Sequence, residues 1–257
     1  MRILMCEPKF YGIDYEINPW MDVKNKVNTD LAMDQWVLLR DLIVGLGAKV
    51  EYVESVKGLP DMVFTANAGF PHQGHFFVSS FKHHQRKGEE IYFEKFFLDK
   101  GYTVSRTGMY FEGMGDVLPM GQRLWCGWGF RSSESVARWL AKQGNFLECV
   151  SLSMRDPRFY HLDTCFCPLD KNNTLVHAEA FFNLPSGLHD VNYIMVPPEE
   201  ARNFACNAIA IGKHVILPQN TDKTCAMLED LGFQPHPTPM SEFMKSGGAC
   251  KCLTLKF

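Results

Sequence analysis

The stretch Asp30–Val53, DLAMDQWVLLRDLIVGLGAKVEYV, contains the pattern that decides the fold. Apolar residues recur in it at alternating spacings of four and three, which predicts a helix over 30–46 with one buried face. Gly47 ends this helix, and residues 49–53 then read as a strand. The apolar positions are Ala32, Trp36, Leu39, Ile43 and Leu46.

The same order of helix, glycine and strand recurs along the chain. The helical patterns and the glycines that end them are 90–100 with Gly101, 132–142 with Gly144, and 221–231 with Gly232. The interval from Gly144 to Gly232 is 88 residues, about twice the 43 residues from Gly101 to Gly144. One more unit is therefore expected to end near residue 188. Gly187 lies there, before the strand-like run 193–196. Five units of about fifty residues each predict a repeat architecture.

Short apolar stretches between the helices read as paired strands, which makes each unit strand, strand, helix, strand. The pairs are 62–65 with 76–79, 116–118 with 124–127, 163–167 with 174–177, and 206–211 with 214–217. This alternation predicts an α/β fold in which residues 1–257 form one domain. The pattern by itself leaves open whether the units close into a ring.

Composition favours a globular protein that acts on a small molecule. The chain has 257 residues, of which 46% are hydrophobic and 21% charged, with a net charge of -3 and no stripe of lysine or arginine. These values argue against nucleic acid as a partner. The apolar run before Glu7 is too short for a signal peptide, and no run approaches the roughly 18 apolar residues of a membrane span. A cytoplasmic protein without a membrane partner is therefore predicted.

The nine cysteines are an odd number and lie mostly in apolar runs, so reduced thiols are predicted. Cys165 and Cys167, like Cys250 and Cys252, are separated by a single residue, whereas zinc knuckles use two to four. No metal site is predicted.

The C-terminal stretch 245–257 contains the residue best suited to covalent chemistry. Gly247 and Gly248 follow a short helical pattern and allow a sharp turn, after which the chain reads as a strand. Cys252 lies where the turn becomes the strand, beside Lys251. A nearby cation, with a histidine in reach, would lower the pKa of the thiol and make it a nucleophile, whereas a small core residue is the alternative.

Polar side chains recur near the ends of the predicted strands. His161 and Asp163 are two residues apart and would lie on one strand face. Each such residue taken alone fits a structural role, because acidic residues and asparagine are common in turns. Their joint occurrence with Cys252 predicts a site that contains a thiol, an imidazole and several carboxylates. The other members are Asp61, Asn67, Glu112 and Asp116.

Six segments, spread from one end of the chain to the other, match in order the pattern of one enzyme superfamily. They are 15–21 (YEINPWM), 60–69 (PDMVFTANAG), 129–132 (GFRS), 158–168 (RFYHLDTCFCP), 203–207 (NFACN) and 247–255 (GGACKCLTL). The sequence resembles the guanidino-group-modifying enzymes of the amidinotransferase superfamily, the penteins, which include arginine deiminase and dimethylargininase. It most resembles the arginine dihydrolase domain of cyanobacterial arginine-degrading proteins.

This resemblance implies a five-bladed pseudosymmetric α/β propeller of ββαβ units, with the site at its central axis. It implies that Cys252 is the nucleophile, His161 the general acid and base, and Glu112 a carboxylate near both the substrate and the histidine. Asp163 and Asp61 would hold guanidinium nitrogens, while Asp116 would be structural. The implied reaction is hydrolysis of the guanidino group of L-arginine through a thiouronium intermediate on Cys252, without a cofactor.

The residue at position 67 bears on how far the reaction goes. In dimethylargininase an aspartate occupies the matching position, whereas the dihydrolase pattern has asparagine, as this chain does. An amide both donates and accepts hydrogen bonds, so it can retain the neutral ureido group of citrulline for a second hydrolysis to ornithine, carbon dioxide and two ammonia in all. An arginine deiminase or dimethylargininase that stops at citrulline is the alternative.

For the amino-acid end of the substrate, Arg131 is the candidate carboxylate clamp, with Asn18 beside it. A second arginine expected from the resemblance is not clearly matched, and Lys82 or Arg86 would have to replace it. Relatives commonly form oligomers, so a homo-oligomer is also expected. The same propeller serves elsewhere as a non-catalytic binding module, but the joint presence of thiol, histidine and carboxylates argues against that alternative.

Overall fold

The structure is a computed structural model that describes residues 1–144, 146, 148–185 and 188–257. The strands are β1 Arg2–Cys6, β2 Lys49–Val53, β3 Gly69–His72, β4 His75–Val78, β5 Thr103–Arg106, β6 Val117–Met120, β7 Arg123–Trp128, β8 Glu148–Ser153, β9 Phe166–Pro168, β10 Asn173–Val176, β11 Asn192–Met195, β12 Ile209–Ile211, β13 His214–Pro218, β14 Gln234–Thr238 and β15 Leu255–Lys256. The α-helices are α1 Thr29–Gly45, α2 Glu90–Asp99, α3 Glu134–Gln143, α4 Pro198–Ala201, α5 Asp222–Asp230 and α6 Ser241–Met244.

The strands form five sheets of three strands each across the described ranges. In every sheet the middle strand pairs antiparallel with the first strand and parallel with the third. The parallel pairs need a crossover, and α1, α2, α3 and α5 provide it in four of the units. The predicted α/β class is thus confirmed, and the five small sheets fit the five predicted units.

The two ends of the chain complete one sheet together. β15 lies antiparallel to β1, with Ile3 opposite Lys256 and Leu4 opposite Leu255, and β2 pairs with β1 on its other side. The first unit therefore takes its first strand from the C-terminus. This pairing fixes the position of Cys252, which lies three residues before β15.

The helix predicted from the opening stretch spans Thr29–Gly45 and packs its apolar face against the core. The side chain of Asn28 accepts a hydrogen bond from the backbone N–H of Leu31 at 3.1 Å, which satisfies one donor at the helix start and typically contributes about 1 kcal/mol. Trp36, which belongs to this face, is fully buried. Gly47 follows the helix with a φ of 87°, a left-handed conformation that favours glycine.

Three clusters of buried apolar side chains form the core. One of them packs α1 against β1 and includes Cys252 together with Phe64 and Phe243. The other two lie beneath the sheets that contain β4 and β7, and β10 and β13. A large apolar side chain that is fully buried stabilises the fold by about 1.5–3 kcal/mol, so the nucleophile candidate lies in a rigid, well-packed region.

At three segments that carry polar residues, the predicted strand is absent or begins later than predicted. Residues 60–63 and 65–68 form two short 3-10 turns, and the strand begins only at Gly69, so Asp61 and Asn67 both precede it. Residues 162–164 likewise form a 3-10 turn before β9, so His161 and Asp163 do not share a strand face. At the C-terminus, Cys252 lies within a turn, and only Leu255–Lys256 form a strand. Buried side chains that bind backbone groups hold these segments as turns.

The fourth unit differs from the others. Between β10 and β11 the described residues contain a single 3-10 turn, at Ala178–Ala180, where the repeat predicted an α-helix. The predicted glycine stop, Gly187, lies outside the described residues.

None of the helices described is both long and apolar enough to cross a membrane. Across the same residues, no three His, Cys, Asp or Glu side chains are grouped so that they could hold a metal ion. All nine cysteines lie in the described ranges as free thiols.

Candidate active site

The residues predicted for the site lie in the turns that precede the first strands of the sheets. Asn67 lies two residues before β3, Glu112 and Asp116 just before β6, His161 and Asp163 just before β9, and Cys252 just before β15. All of these side chains are buried. Turns allow polar side chains to point inward while the following strands remain regular, so equivalent positions in different units contribute to one site.

Cys252 lies among groups that act on its thiol in opposite directions. Its Sγ lies 3.6 Å from both carboxylate oxygens of Asp163 and 3.1 Å from Nδ2 of Asn207. The ammonium of Lys251 lies 4.0 Å from the Asp163 carboxylate. Burial and the carboxylate raise the pKa of Cys252 well above its usual value, against the opposing effects of Lys251 and Asn207. In this structure Cys252 is therefore a neutral thiol near neutral pH.

His161 and Glu112 form a second group. Nε2 of His161 lies 2.7 Å from Oε2 of Glu112, and Nη1 of Arg131 donates to the same oxygen at 2.9 Å. Burial acts to raise the pKa of Glu112, but Arg131 and the hydrogen bond with His161 outweigh it and hold this pKa far below its usual value. Glu112 is thus a permanent anion, and it fixes the orientation of the imidazole.

Small residues allow the Glu112 turn to lie close to the Asn67 turn. Gly113 has a φ of 60°, and a Cβ at this position would lie 2.6 Å from the backbone nitrogen of Gly69. A Cβ on Gly115 would lie 2.2 Å from Nδ2 of Asn67. Any larger residue at these two positions would push the two turns apart.

Asp116 links the same turn to its neighbours. Its carboxylate accepts hydrogen bonds from the hydroxyl of Ser132 at 2.6 Å and from the backbone N–H of Leu162 at 3.2 Å. The backbone N–H of Glu112 in turn donates to Ser132 Oγ at 3.0 Å. These contacts tie together the turns that carry Glu112 and His161, as expected of a structural residue.

Asp61 and Asn67 lie beside a buried arginine. Nη1 of Arg86 donates to Oδ1 of Asn67 at 2.8 Å, and Nη2 donates to the backbone carbonyl of Asp61 at 3.0 Å. Glu89 binds Arg86 with both carboxylate oxygens, each at 2.8 Å. Because these contacts occupy the guanidinium, Arg86 acts as a support for Asn67. Lys82, the other candidate for the missing arginine, donates through Nζ to the carbonyl of Phe130.

One carboxylate oxygen of Asp61 has no partner. Oδ2 accepts a hydrogen bond from the Tyr15 hydroxyl at 3.0 Å, but the buried Oδ1 contacts no donor among the described residues. Burial raises the pKa of Asp61, and Arg86 opposes this shift. An unpaired buried acceptor costs free energy unless a ligand satisfies it, so Oδ1 marks a binding position for an N–H donor.

The clamp candidates Arg131 and Asn18 lie at the rim of the same region. Nη2 of Arg131 donates to the backbone carbonyl of Ile17 at 2.9 Å, and its guanidinium stacks over the ring of Tyr160, 4.6 Å from the centroid. Nδ2 of Asn18 donates to the carbonyl of Ser246 at 3.0 Å. These contacts hold the segment 15–21 across the site.

The residues that line one small pocket include six of the candidate site residues. They are Asn18, Asp61, Asn67, Arg86, Arg131 and Cys252. A larger cavity lies elsewhere and is lined mainly by apolar side chains, and none of the candidate site residues borders it. The smaller pocket combines the thiol with the carboxylate of Asp61 and two guanidinium groups, so it is the candidate active site.

Three further residues that contact the candidate site residues were not expected from the sequence as members of the site. Asn207 contacts the Cys252 thiol, Glu89 holds Arg86, and Tyr15 binds Asp61. For Asn207 a signal was present, because it lies two residues before β12, the position that Asn67 occupies before β3. Glu89 and Tyr15 have no such regular position.

A family model described as eukaryotic N,N dimethylarginine dimethylhydrolase matches residues 12–257. The bifunctional arginine dihydrolase/ornithine cyclodeaminase AgrE of Nostoc sp. is 42% identical over 266 residues, which cover 100% of this chain and 38% of that protein. The N(G),N(G)-dimethylarginine dimethylaminohydrolase of Mycobacterium tuberculosis is 36% identical over 258 residues, which cover 99% of this chain and 85% of that protein.

Among solved structures, the N-terminal domain of ArgZ, an arginine dihydrolase from the ornithine-ammonia cycle in cyanobacteria, was determined bound to substrate. It matches this chain with a TM-score of 0.91 and 40% identity, covering 99% of this chain and 97% of that one. The predicted resemblance to arginine dihydrolase domains and dimethylargininases is confirmed. The chain spans less than two fifths of the length of AgrE.

Proposed function

The chain belongs to the N,N-dimethylarginine dimethylhydrolase family, whose relatives hydrolyse guanidino C–N bonds, and on that premise we propose that it is an arginine dihydrolase. In this proposal it converts L-arginine to ornithine, carbon dioxide and two ammonia in two hydrolytic rounds. The relatives AgrE and ArgZ, both described as arginine dihydrolases, support the choice of substrate.

The observation that carries this proposal is a pair of carboxylates, one beside the thiol of Cys252 and one in the pocket that Cys252 lines. Asp163 lies 3.6 Å from Cys252 Sγ, and the unpaired Oδ1 of Asp61 belongs to a residue lining the same pocket. A guanidinium offers a planar set of N–H donors and a permanent positive charge, which two carboxylates can read. We assign Asp163 and Asp61 as its ligands, with Arg131 and Asn18 binding the amino-acid end.

In the first round, the bound cation favours the ionised form of Cys252, whose thiolate attacks the central guanidino carbon. The tetrahedral adduct expels ammonia, to which His161 gives a proton, and a thiouronium remains on Cys252. His161 then takes a proton from water, the water attacks, and citrulline is released with the thiolate as leaving group. Glu112 keeps the imidazole oriented throughout.

Asn67 is assigned to the second round. Its Oδ1 is occupied by Arg86, while its Nδ2 has one long contact, 3.4 Å to the carbonyl of Glu112. The amide is therefore held with a donor available to the ureido oxygen of citrulline. That contact would keep citrulline in place for the second hydrolysis, which yields ornithine, carbon dioxide and the second ammonia.

The proposal includes closure of the five units into a ring, a five-bladed α/β propeller with the pocket at its axis. Pairing of β15 with β1 joins the chain ends, and hydrogen bonds link the turns of successive units, from Asn67 to Glu112, from Glu112 to His161, and from Asp163 and Asn207 to Cys252. These links support the arrangement. Three further properties remain predictions: that the reaction needs no cofactor, that the protein is a homo-oligomer, and that it is cytoplasmic.

A second candidate is a dimethylargininase that stops at citrulline. The family model and the Mycobacterium tuberculosis relative favour it by name. Asn67 argues against it, because an aspartate at this position would suit a cation and would offer no donor to a neutral product.

Incubation of the purified protein with isotopically labelled L-arginine tests the proposal. Two ammonia per ornithine, with no urea, is the expected result. Citrulline with a single ammonia would indicate an arginine deiminase, whereas citrulline and dimethylamine from labelled dimethylarginine run in parallel would assign the second candidate.

The Asn67→Asp variant tests the second round separately. We expect citrulline to accumulate, because the carboxylate pairs with Arg86 and no longer donates to the ureido group. Asn192→Asp, at an exposed position on β11, is the matched control and should leave the ratio of ornithine to citrulline unchanged. Unchanged ornithine output from Asn67→Asp would contradict the assignment of Asn67.

A further inference from the structure

Asn207 occupies in the fifth unit the position that polar residues of the site occupy in the other units. It lies two residues before β12 and is fully buried. The hydrogen bonds of its side chain all go to the segment that carries the nucleophile and to the turn that carries Asp163. No step of the proposed reaction has so far involved Asn207.

The orientation of the Asn207 amide follows from its hydrogen bonds. Oδ1 accepts from the backbone N–H of Ala249 at 3.0 Å and from that of Cys252 at 3.1 Å. A flipped amide would set its N–H groups against these two donors, so Nδ2 must face the other way. Nδ2 donates to the carbonyl of Asp163 at 2.9 Å and lies 3.1 Å from Cys252 Sγ.

The thiol has little other support for a negative charge. Asp163 faces it with a carboxylate, and Tyr160 stands near it with a hydroxyl that donates to the carbonyl of Gly247. Lys251 lies beside Asp163 at 4.0 Å, and Asp61, Arg86 and Arg131 are the other charged groups that line the pocket. Among the described side chains Asn207 is thus the neutral donor to Sγ, and the backbone N–H of Ala249 adds a weaker effect in the same direction.

We propose that Asn207 is a further catalytic residue, whose side-chain N–H stabilises the thiolate of Cys252 at the moment of attack and again when the thiolate leaves. This inference rests on the proposed role of Cys252. A hydrogen bond from a fixed donor favours the ionised form of an acid, and here it offsets the carboxylate of Asp163. The same amide anchors the backbone of the nucleophile, so thiol position and thiolate charge depend on one side chain.

The variant Asn207→Asp separates these two contributions. A carboxylate keeps an acceptor for the N–H groups of Ala249 and Cys252, so the backbone anchor remains. It replaces the donor that faces Sγ with an oxygen and adds a negative charge. The thiolate should therefore become harder to form while the fold is retained.

The measurement is the rate at which iodoacetamide alkylates Cys252 as a function of pH, read by mass spectrometry of the peptide that contains it. For Asn207→Asp the midpoint should move up by about one pH unit or more, so the rate below the midpoint falls about tenfold. Asn207→Ser, which is uncharged and too short to reach Sγ, should move the midpoint in the same direction. The control Asn203→Asp, whose amide binds an exposed loop carbonyl, should leave the profile unchanged.

Profiles of both Asn207 variants that coincide with the wild-type profile would overturn the inference. If Asn207→Asp does not fold, the Asn207→Ser profile decides the matter alone. A wild-type Cys252 that is not protected by L-arginine would instead count against the role proposed for Cys252. Failure of the inference and failure of the proposed function are therefore distinguishable.

Discussion

The turn before β6 and the turn before β9 each bury a carboxylate completely, yet the two carboxylates differ in charge. Glu112, in the first turn, has a pKa held far below its usual value by Arg131 and His161 despite its burial. Burial raises the pKa of Asp163, in the second turn, to about 7, with Lys251 and the Cys252 thiol opposing the shift. Equal burial has thus given a permanent anion and a titrating group.

The distances explain the difference. Glu112 has charge-assisted contacts at 2.7 and 2.9 Å, whereas the partners of Asp163 lie at 3.6 and 4.0 Å. Short hydrogen-bonded contacts compensate for lost solvation, and longer ones do so only in part. Glu112 is therefore built to orient a histidine, while Asp163 is left to be ionised by a cationic substrate.

The largest effect is expected from removing the permanent anion. In Glu112→Gln the amide no longer balances Arg131 and no longer fixes the imidazole, so kcat/KM for L-arginine should fall by about 10²–10⁴-fold. Steady-state ammonia release measures it. Glu200→Gln is the matched control, because Glu200 is also buried and caps the backbone of α5 through Lys223 and Thr224. Equal losses in both variants would show that Glu112 acts only through stability.

Asp163→Asn should separate binding from reactivity. Loss of the carboxylate removes a guanidinium ligand, so kcat/KM for L-arginine should fall by about 10²-fold. The same change removes a negative charge beside Sγ, so iodoacetamide should alkylate Cys252 several-fold faster without substrate.

Asp170→Asn, in the turn between β9 and β10, controls for the charge change. Slower alkylation of Asp163→Asn would mean that the carboxylate assists the thiol, and the contrast with Glu112 would have to be abandoned.

The sequence predicted regular elements better than it predicted the site turns. β2 matches its predicted bounds, and α1 begins and ends within one residue of the prediction, because their apolar spacing reflects burial directly. Residues 60–68 are as apolar as a strand but fold as turns, because hydrogen bonds to distant backbone groups, such as Ala66 N–H to the Cys252 carbonyl, replace a strand partner. Such contacts leave no local pattern.

The candidate site could be predicted only as a set of residue types. The structure pairs Cys252 with Asp163 and His161 with Glu112, but the contact of Glu112 with Arg131 or of Cys252 with Asn207 joins residues that the sequence pattern did not pair. The charges of Glu112 and Asp163 depend on the distances to their partners, which are 2.7 and 2.9 Å for Glu112 and 3.6 and 4.0 Å for Asp163. Neither the titration of Asp163 nor the support of Asn67 by Arg86 can be derived from spacing.

The affinity of the Cys252→Ala variant for L-arginine should depend on pH. No reaction follows binding in this variant. A guanidinium favours the ionised form of Asp163, so binding must release the proton that this carboxyl holds below about pH 7. Calorimetry should show affinity rising by up to about tenfold per pH unit between about pH 5 and 7, then levelling off. Adding Asp163→Asn should flatten this dependence, and an unaltered slope would place the titrating group elsewhere.

The smallest effect is on the unfolding free energy of the protein without substrate. Since the pKa of Asp163 is raised from about 4 in the unfolded chain to about 7, its contribution to stability is complete below pH 4 and is lost as the pH rises through 7. The contribution of Glu112 to stability depends on pH in the opposite direction, because its lowered pKa stabilises the fold above about pH 4 and this stability is lost in acid.

Glu89 and Asp116, with pKa values raised by burial to about 7 and about 6, add to the loss of stability near neutral pH, so variants must be compared with the wild type. Urea unfolding at several pH values should show that Asp163→Asn removes about 1 kcal/mol per pH unit from the decline between pH 5 and 7, whereas Glu112→Gln leaves that decline in place. An equal effect of both variants would mean that the two carboxylates titrate as one coupled pair, and the distinction between the permanent and the titrating anion would fail.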